Sequence, residues 1–173
     1  MKKQTIIALL LIAVGLIGRL VPHLPNVVPI TAIALFAAAY LSKRQAVLVF
    51  FLTMVISDVI IGFYQWQVMT VVYFSFFIVT MLGRYLRNHI SATRLLGLTL
   101  VSSLLFFITT NWAVWQFTTL YPRTFAGLME CYTLALPFLK NSLMGDVLYS
   151  GLLFGLVYLV SLVKYPTLDF VHN

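Results

Sequence analysis

The side chains able to do chemistry are few and unevenly placed. The acids are Asp58, Glu130, Asp146 and Asp169, the imidazoles His23, His89 and His172, and the single thiol Cys131. Asp58 and Asp146 fall inside apolar stretches, where a carboxylate costs ~2.5–3.5 kcal/mol and so normally faces protein or water and finds a partner. Arg19 is the cation whose depth suits either of them, and His23 follows it by four residues. Such a pair either fixes helix register or belongs to a polar pocket. His23 and Cys131, if the fold brought them together, would form a nucleophile and its base, or an imidazole and a thiolate ligand; apart, Cys131 is inert packing. There is no His-x-x-x-His, no Cys-x-x-Cys, no glycine-rich phosphate loop and no Walker sequence. The chain therefore hydrolyses no ATP itself, and no catalytic residue, resident metal or cofactor is expected.

The elements that position these groups follow from composition. Hydrophobic residues make up 62% of the 173 and charged residues 9%, with a mean hydropathy of +1.02; soluble domains carry about 25% charged residues. This is the composition of an integral membrane protein, and residues 1–173 form a single all-α membrane domain, a polytopic helix bundle. Apolar runs place six transmembrane helices near 4–21, 28–42, 45–63, 67–83, 95–119 and 141–163. The second covers only ~22 Å at helical rise, short of a ~30 Å hydrocarbon core. The opening MKKQTIIALLLIAVGLIG has the basic start and apolar middle of a signal peptide, but no small-x-small site precedes Pro22, so a retained first span is expected. With the chain starting in the cytoplasm, the inner loops hold Lys2, Lys3, Lys43, Arg44, Arg84, Arg87, Arg94 and Lys164, and the outer side only Arg19, Arg123 and Lys140. Both termini are therefore expected to be cytoplasmic. The net charge of +7 is accounted for by this topology, and no nucleic-acid partner is expected.

That orientation gathers the unusual polar residues on the outer side. Arg19 and His23 end the first span and Asn26 lies in the loop after it. Asp58 is near the outer end of the third span, Asn111, Trp112 and Trp115 are in the outer part of the fifth, and Asp146 is about one turn into the sixth. Glu130 lies in the outer loop and Asp169 in the cytoplasmic tail. Within residues 121–141, Phe125, Leu128, Met129 and Tyr132 recur at helical spacing, which suggests a short interfacial helix able to act as a lid. Trp66, Trp112, Trp115, Tyr121 and Tyr132 read either as an interfacial belt or as walls of a site for a ring-containing ligand. Arg19, His23, Asn26, Asp58, Trp66, Asn111, Trp112, Trp115, Glu130, Cys131, Tyr132 and Asp146 are the candidate substrate-binding residues. Small residues that would let helices approach are Gly151 and Gly155 in the sixth span and Ala34 and Ala38 in the second; packing within the protein is the ordinary use of both. No internal repeat is visible.

The blocks RLVPHLPNVVPITAIALFAAAYL, SDVIIGFY, TTNWAVW, YPRTFAGLMECYTLALPF and NSLMGDVLYSGLLFG cover nearly the whole chain. On them the sequence resembles an uncharacterised family of small bacterial membrane proteins described as substrate-binding S components of energy-coupling-factor (ECF) transporters. The resemblance implies a six-helix protein of the bacterial cytoplasmic (inner) membrane that captures a vitamin or metal ion on the outer side. It also implies delivery either with a membrane coupling protein and ATPase subunits or alone. The chain departs from the S-component pattern in its first helix, where Ala8 and Ala13 are five apart instead of forming Ala-x-x-x-Ala.

The expected function is therefore capture of a vitamin-like small-molecule substrate within membrane lipid, with no chemistry of its own. A corrinoid is the single ligand named, from the outer-side aromatics and from His23 and Cys131 as imidazole and thiolate able to reach a cobalt centre. The competing readings are a membrane enzyme acting on an amphipathic or lipid-linked substrate through Asp58, Asp146, His23 or Cys131, and a structural partner subunit whose polar cluster is internal glue.

Overall fold

The second helix is the axis of the molecule. The computed structural model describes residues 2–164, in which α1 (Lys2–Leu20), α2 (Ile30–Tyr40), α3 (Lys43–Ile61), α4 (Trp66–Gly83), α5 (Ala92–Phe117) and α6 (Phe125–Lys164) succeed one another, with a single 3₁₀ turn at Arg84–Leu86. Every residue of α2 from Ile30 to Ala39 is buried. A helix apolar on all sides is buried on all sides, and the alanines of ITAIALFAAAY let neighbouring backbones approach closely. At the far end of α4, a Cβ on Gly83 would stand 2.9 Å from both the Ala38 Cβ and the Leu35 Cα. The shortness of the second span thus has a cause. Enclosed by α3, α4 and α6, α2 meets almost no lipid, and its ~16 Å length need not match the hydrocarbon core.

The other five helices are each long and apolar enough to cross a membrane. With α2 they form a helical membrane bundle. Their outward faces carry the side chains a lipid-facing surface requires, such as Leu9, Leu10 and Ile17 on α1 and Leu148, Leu152 and Leu156 on α6; in hydrocarbon only elements that satisfy their own backbone bonds are stable. Helix starts are locally encoded: Ser42 and Gln45 form a reciprocal capping box before α3, and the Ser91 hydroxyl accepts from the Arg94 N–H before α5.

α1 is held by its glycines. A Cβ at Gly15 would lie 2.5 Å from Thr53 Cγ2, and one at Gly18 would lie 2.5 Å from Pro29. The small pair at Gly151 and Gly155 behaves differently from expectation: an added Cβ meets nothing within 4 Å at either position. These glycines face away from the bundle, so helix packing inside the protein uses Ala34 and Ala38, both fully buried, and not the α6 pair.

The largest departure from the expected elements is in α6. The interfacial helix foreseen within 121–141 and the span foreseen at 141–163 are one continuous 40-residue helix, with Pro137 inside it. Its pairing with α5 shows how a proline is accommodated. The Cys131 thiol reaches the Asn111 carbonyl, and Ser103 meets Asp146. Between these two contacts α6 advances ~22 Å and α5 only ~12 Å. Within this stretch Pro137 deprives the Thr133 carbonyl of its helical partner, the local condition for a bend. The α1–α2 loop packs against the residues that follow Pro137: Asn141 Nδ2 donates to the Pro25 carbonyl, and a Cβ on Gly145 would stand 3.1 Å from Val27 Cα.

Candidate functional site

Beside the α6 residues Phe138, Ser142 and Asp146 the bundle opens into a cavity of about 650 Å³. All six helices or their adjoining loops contribute to it. Its walls are apolar, with Met54, Val68, Val72, Phe76, Phe106 and Phe138 among them, and its polar groups are Arg19, His23, Asn26, Thr31, Tyr64, Thr110, Asn111, Ser142 and Asp146.

The upper level is organised by Arg19, in the last turn of α1. Its Nη2 donates to Asp58 Oδ1 at 2.8 Å and its Nη1 to Ser57 Oγ at 2.6 Å, with Met54 Sδ at 3.1 Å. The second carboxylate oxygen, Oδ2, accepts from the Tyr73 hydroxyl at 2.8 Å. Asp58 is 1% exposed and yet fully engaged by a guanidinium and a phenol from two other helices, the arrangement that makes a buried carboxylate tolerable. Arg19 lines the cavity; Asp58 stands behind it. Tyr64, in the α3–α4 loop, also faces the cavity, and its phenol is pushed up to about 12 by burial, with Asp58 adding to the shift and Arg19 opposing it. It is a neutral hydrogen-bonding group.

The lower level is Asp146. The sequence placed it one turn from the outer end of a span; the structure places it near the middle of α6, opposite Ser103, whose hydroxyl donates to Oδ2 at 2.7 Å. Ser75 meets Thr109 across α4 and α5, and Tyr73, two residues nearer the start of α4, meets Asp58. Asp58 thus stands level with about Asn111, and Ser103 lies eight residues deeper, ~12 Å by helical rise. Phe138, Ser142 and Asp146, four residues apart, present one face of α6 to the cavity. Between the levels the rings of Phe76 and Phe106 approach to 4.9 Å between centroids.

The mouth is formed by the α1–α2 loop. His23 is exposed, with Nδ1 2.7 Å from the Val21 carbonyl oxygen. Asn26 has φ 63°, a left-handed conformation that asparagine tolerates better than most residues, and the turn around it is closed by Val27 N–H donating to the Leu24 carbonyl.

Of the residues expected at the site, the structure brings Arg19, His23, Asn26, Asn111 and Asp146 to the cavity and Asp58 directly behind it. The others are elsewhere. Trp66 is 67% exposed at the start of α4, Trp112 packs edge-on against Phe117, and Trp115 donates through Nε1 to the Pro122 carbonyl; none of the three lines the cavity. Their amphipathic rings, indole N–H included, suit the interfacial belt. Glu130 is exposed. Cys131 is buried against the Asn111 carbonyl, away from the cavity that His23 lines, and Tyr132 donates to the Ile108 carbonyl. Asp169 and His172 lie outside the described residues. Among the described residues no group of three His, Cys, Asp or Glu side chains stands together.

Sequence reasoning missed Thr31, Tyr64, Tyr73, Ser103, Thr110 and Ser142. The Phe138–Ser142–Asp146 spacing was the available signal, hidden by the assumption that a loop ended near residue 141. No curated relative and no solved structure matches this protein. Residues 1–168 match the model of a family of unknown function, DUF6580, and the chain, bundle and cavity together, belongs to that family.

Proposed function

We propose that this protein is a substrate-capture membrane protein, like the S component of an ECF transporter, which receives an amphipathic, vitamin-like small molecule from the outer side of the bacterial cytoplasmic membrane. The observation that carries the reading is the cavity: about 650 Å³, inside the ~300–1,000 Å³ typical of small-molecule sites, with mostly apolar walls and a few convergent polar groups. The orientation rests on the basic residues, eight of the eleven of which fall on the side away from the cavity mouth.

The geometry favours a compact ligand over a corrinoid. The tryptophans and Cys131, on which a macrocycle and its cobalt would have leaned, lie outside the cavity. Of the groups that an enzyme reading would use, Asp58 is held by Arg19 and Tyr73, and the Cys131 thiol is turned to a backbone carbonyl. Delivery falls either to a coupling protein with ATPase subunits or to this protein alone, and pull-down of the tagged protein from its native membrane distinguishes the two.

Mass spectrometry of small molecules extracted from the protein after purification in mild detergent tests the proposal. One small compound, present in near-stoichiometric amount and absent from a control membrane protein handled identically, is the expected result. Protein that carries only phospholipid and detergent contradicts it.

A further inference from the structure

Among the described residues, one carboxyl group on the cavity wall has no cation of the protein against it. Arg19 is closed off: its two terminal nitrogens are spent on Asp58, Ser57 and Met54, and the remaining Asp58 oxygen is taken by Tyr73. That pair is neutral and complete. Asp146, deeper in the bundle, is 5% exposed, faces the cavity, and takes hydrogen bonds from the Ser103 and Thr31 hydroxyls. Among the described residues the Arg19–Asp58 contact is the one salt bridge. The other ionisable side chain of basic character lining the cavity, His23, is at the exposed mouth. A carboxylate at membrane depth is ordinarily paired, and here the side from which a partner can come is the cavity.

What stands beside Asp146 narrows the partner. Phe106 is three residues from Ser103 on α5, about one turn above it, and its ring and that of Phe76 form a tilted pair at 4.9 Å. Aromatic faces attract cations as carboxylates do, and more strongly where water is excluded. An inorganic ion would need several oxygen ligands around it, and this floor offers one carboxylate and a few hydroxyls among apolar side chains.

We infer that the cavity takes an organic cation, a small amphipathic molecule whose protonated nitrogen sits at Asp146 and whose apolar body lies against Phe76 and Phe106. The inference rests on the capture reading and specifies its substrate class: Arg19 is a fixed part of the wall, and Asp146 is the anchor.

A matched pair of probes tests it, 1-naphthylmethylamine and 1-naphthylmethanol, which share a ring system and differ in a protonated nitrogen against a hydroxyl. Calorimetric titration of the purified protein near neutral pH should show the amine binding about tenfold or more tighter than the alcohol. Asp146→Asn should remove the preference by weakening the amine alone, and Asp146→Glu should restore most of it. The wild-type comparison stands by itself if the asparagine variant fails to fold. Equal affinities in the wild type, or a preference unchanged by Asp146→Asn, overturn the cation assignment and leave capture of a neutral molecule standing. Binding of neither probe overturns both.

Discussion

Arg19 and Asp58 are 39 positions apart in the chain and 2.8 Å apart in space, joining the last turn of α1 to the last turn of α3 beneath the mouth of the cavity. Because Asp58 is almost wholly buried, the loss of its cation is expected to matter more than the loss of the pair. Arg19→Ala should lower stability by about 3–5 kcal/mol, and Arg19→Ala combined with Asp58→Asn by less than Arg19→Ala alone, because the double variant leaves no uncompensated charge. Unfolding of the detergent-solubilised protein measures both. A double variant less stable than either single one would show that the residues act through separate contacts.

Tyr73 completes that cluster from α4 by donating to the second oxygen of Asp58. Tyr73→Phe should cost about 1.5–3 kcal/mol, the range for a hydrogen bond to a charged group. The same unfolding assay checks it; a change below ~0.5 kcal/mol, the scale of an uninvolved surface site, would mean that the carboxylate does not depend on the phenol.

The glycines offer a contrast within one residue type. Gly18 sits where an added Cβ would collide with Pro29, while Gly151 and Gly155 face open space. Gly18→Ala should destabilise the protein by about 1–3 kcal/mol through overpacking, and Gly151→Ala should be neutral or stabilising by up to about 1 kcal/mol, because alanine is the better helix former. Equal losses at Gly18 and Gly151 would indicate that α6 has a packing partner.

These examples also show what was legible beforehand. Helix existence was clear because lipid demands long apolar runs, and α1, α3, α4 and α5 fall within three residues of the expected spans. Arg19 could be matched with a buried acid on electrostatic grounds, but the choice between Asp58 and Asp146 depended on how α1 packs on α3, a matter of Gly15 and Gly18 meeting Thr53 and Pro29. Asp146 was misplaced in depth because Lys140, Asn141 and Pro137 look like a loop; in the structure they belong to a continuous helix. Tyr73 and Ser103 carry no local mark of their roles. Each serves a carboxylate 15 or 43 residues distant, and only the fold brings them together.

Topology is open to a simple check. Reporter fusions at Lys43, Arg87 and Asn173 should read cytoplasmic and one near Arg123 external, as the distribution of basic residues requires. The reverse pattern at two or more of these positions would put the cavity mouth in the cytoplasm and remove capture from outside.

The most direct measurement is native mass spectrometry of the intact protein released from mild detergent, comparing the wild type with Val114→Trp, which places an indole in the cavity from its α5 wall. The wild type should show a population carrying one additional small-molecule mass, and a Val114→Trp protein that unfolds at a similar temperature should lack it. An adduct retained equally by both proteins would place the ligand elsewhere, and a wild type without any adduct, even after incubation with extract of the native cells, would contradict the claim that this cavity captures a small molecule.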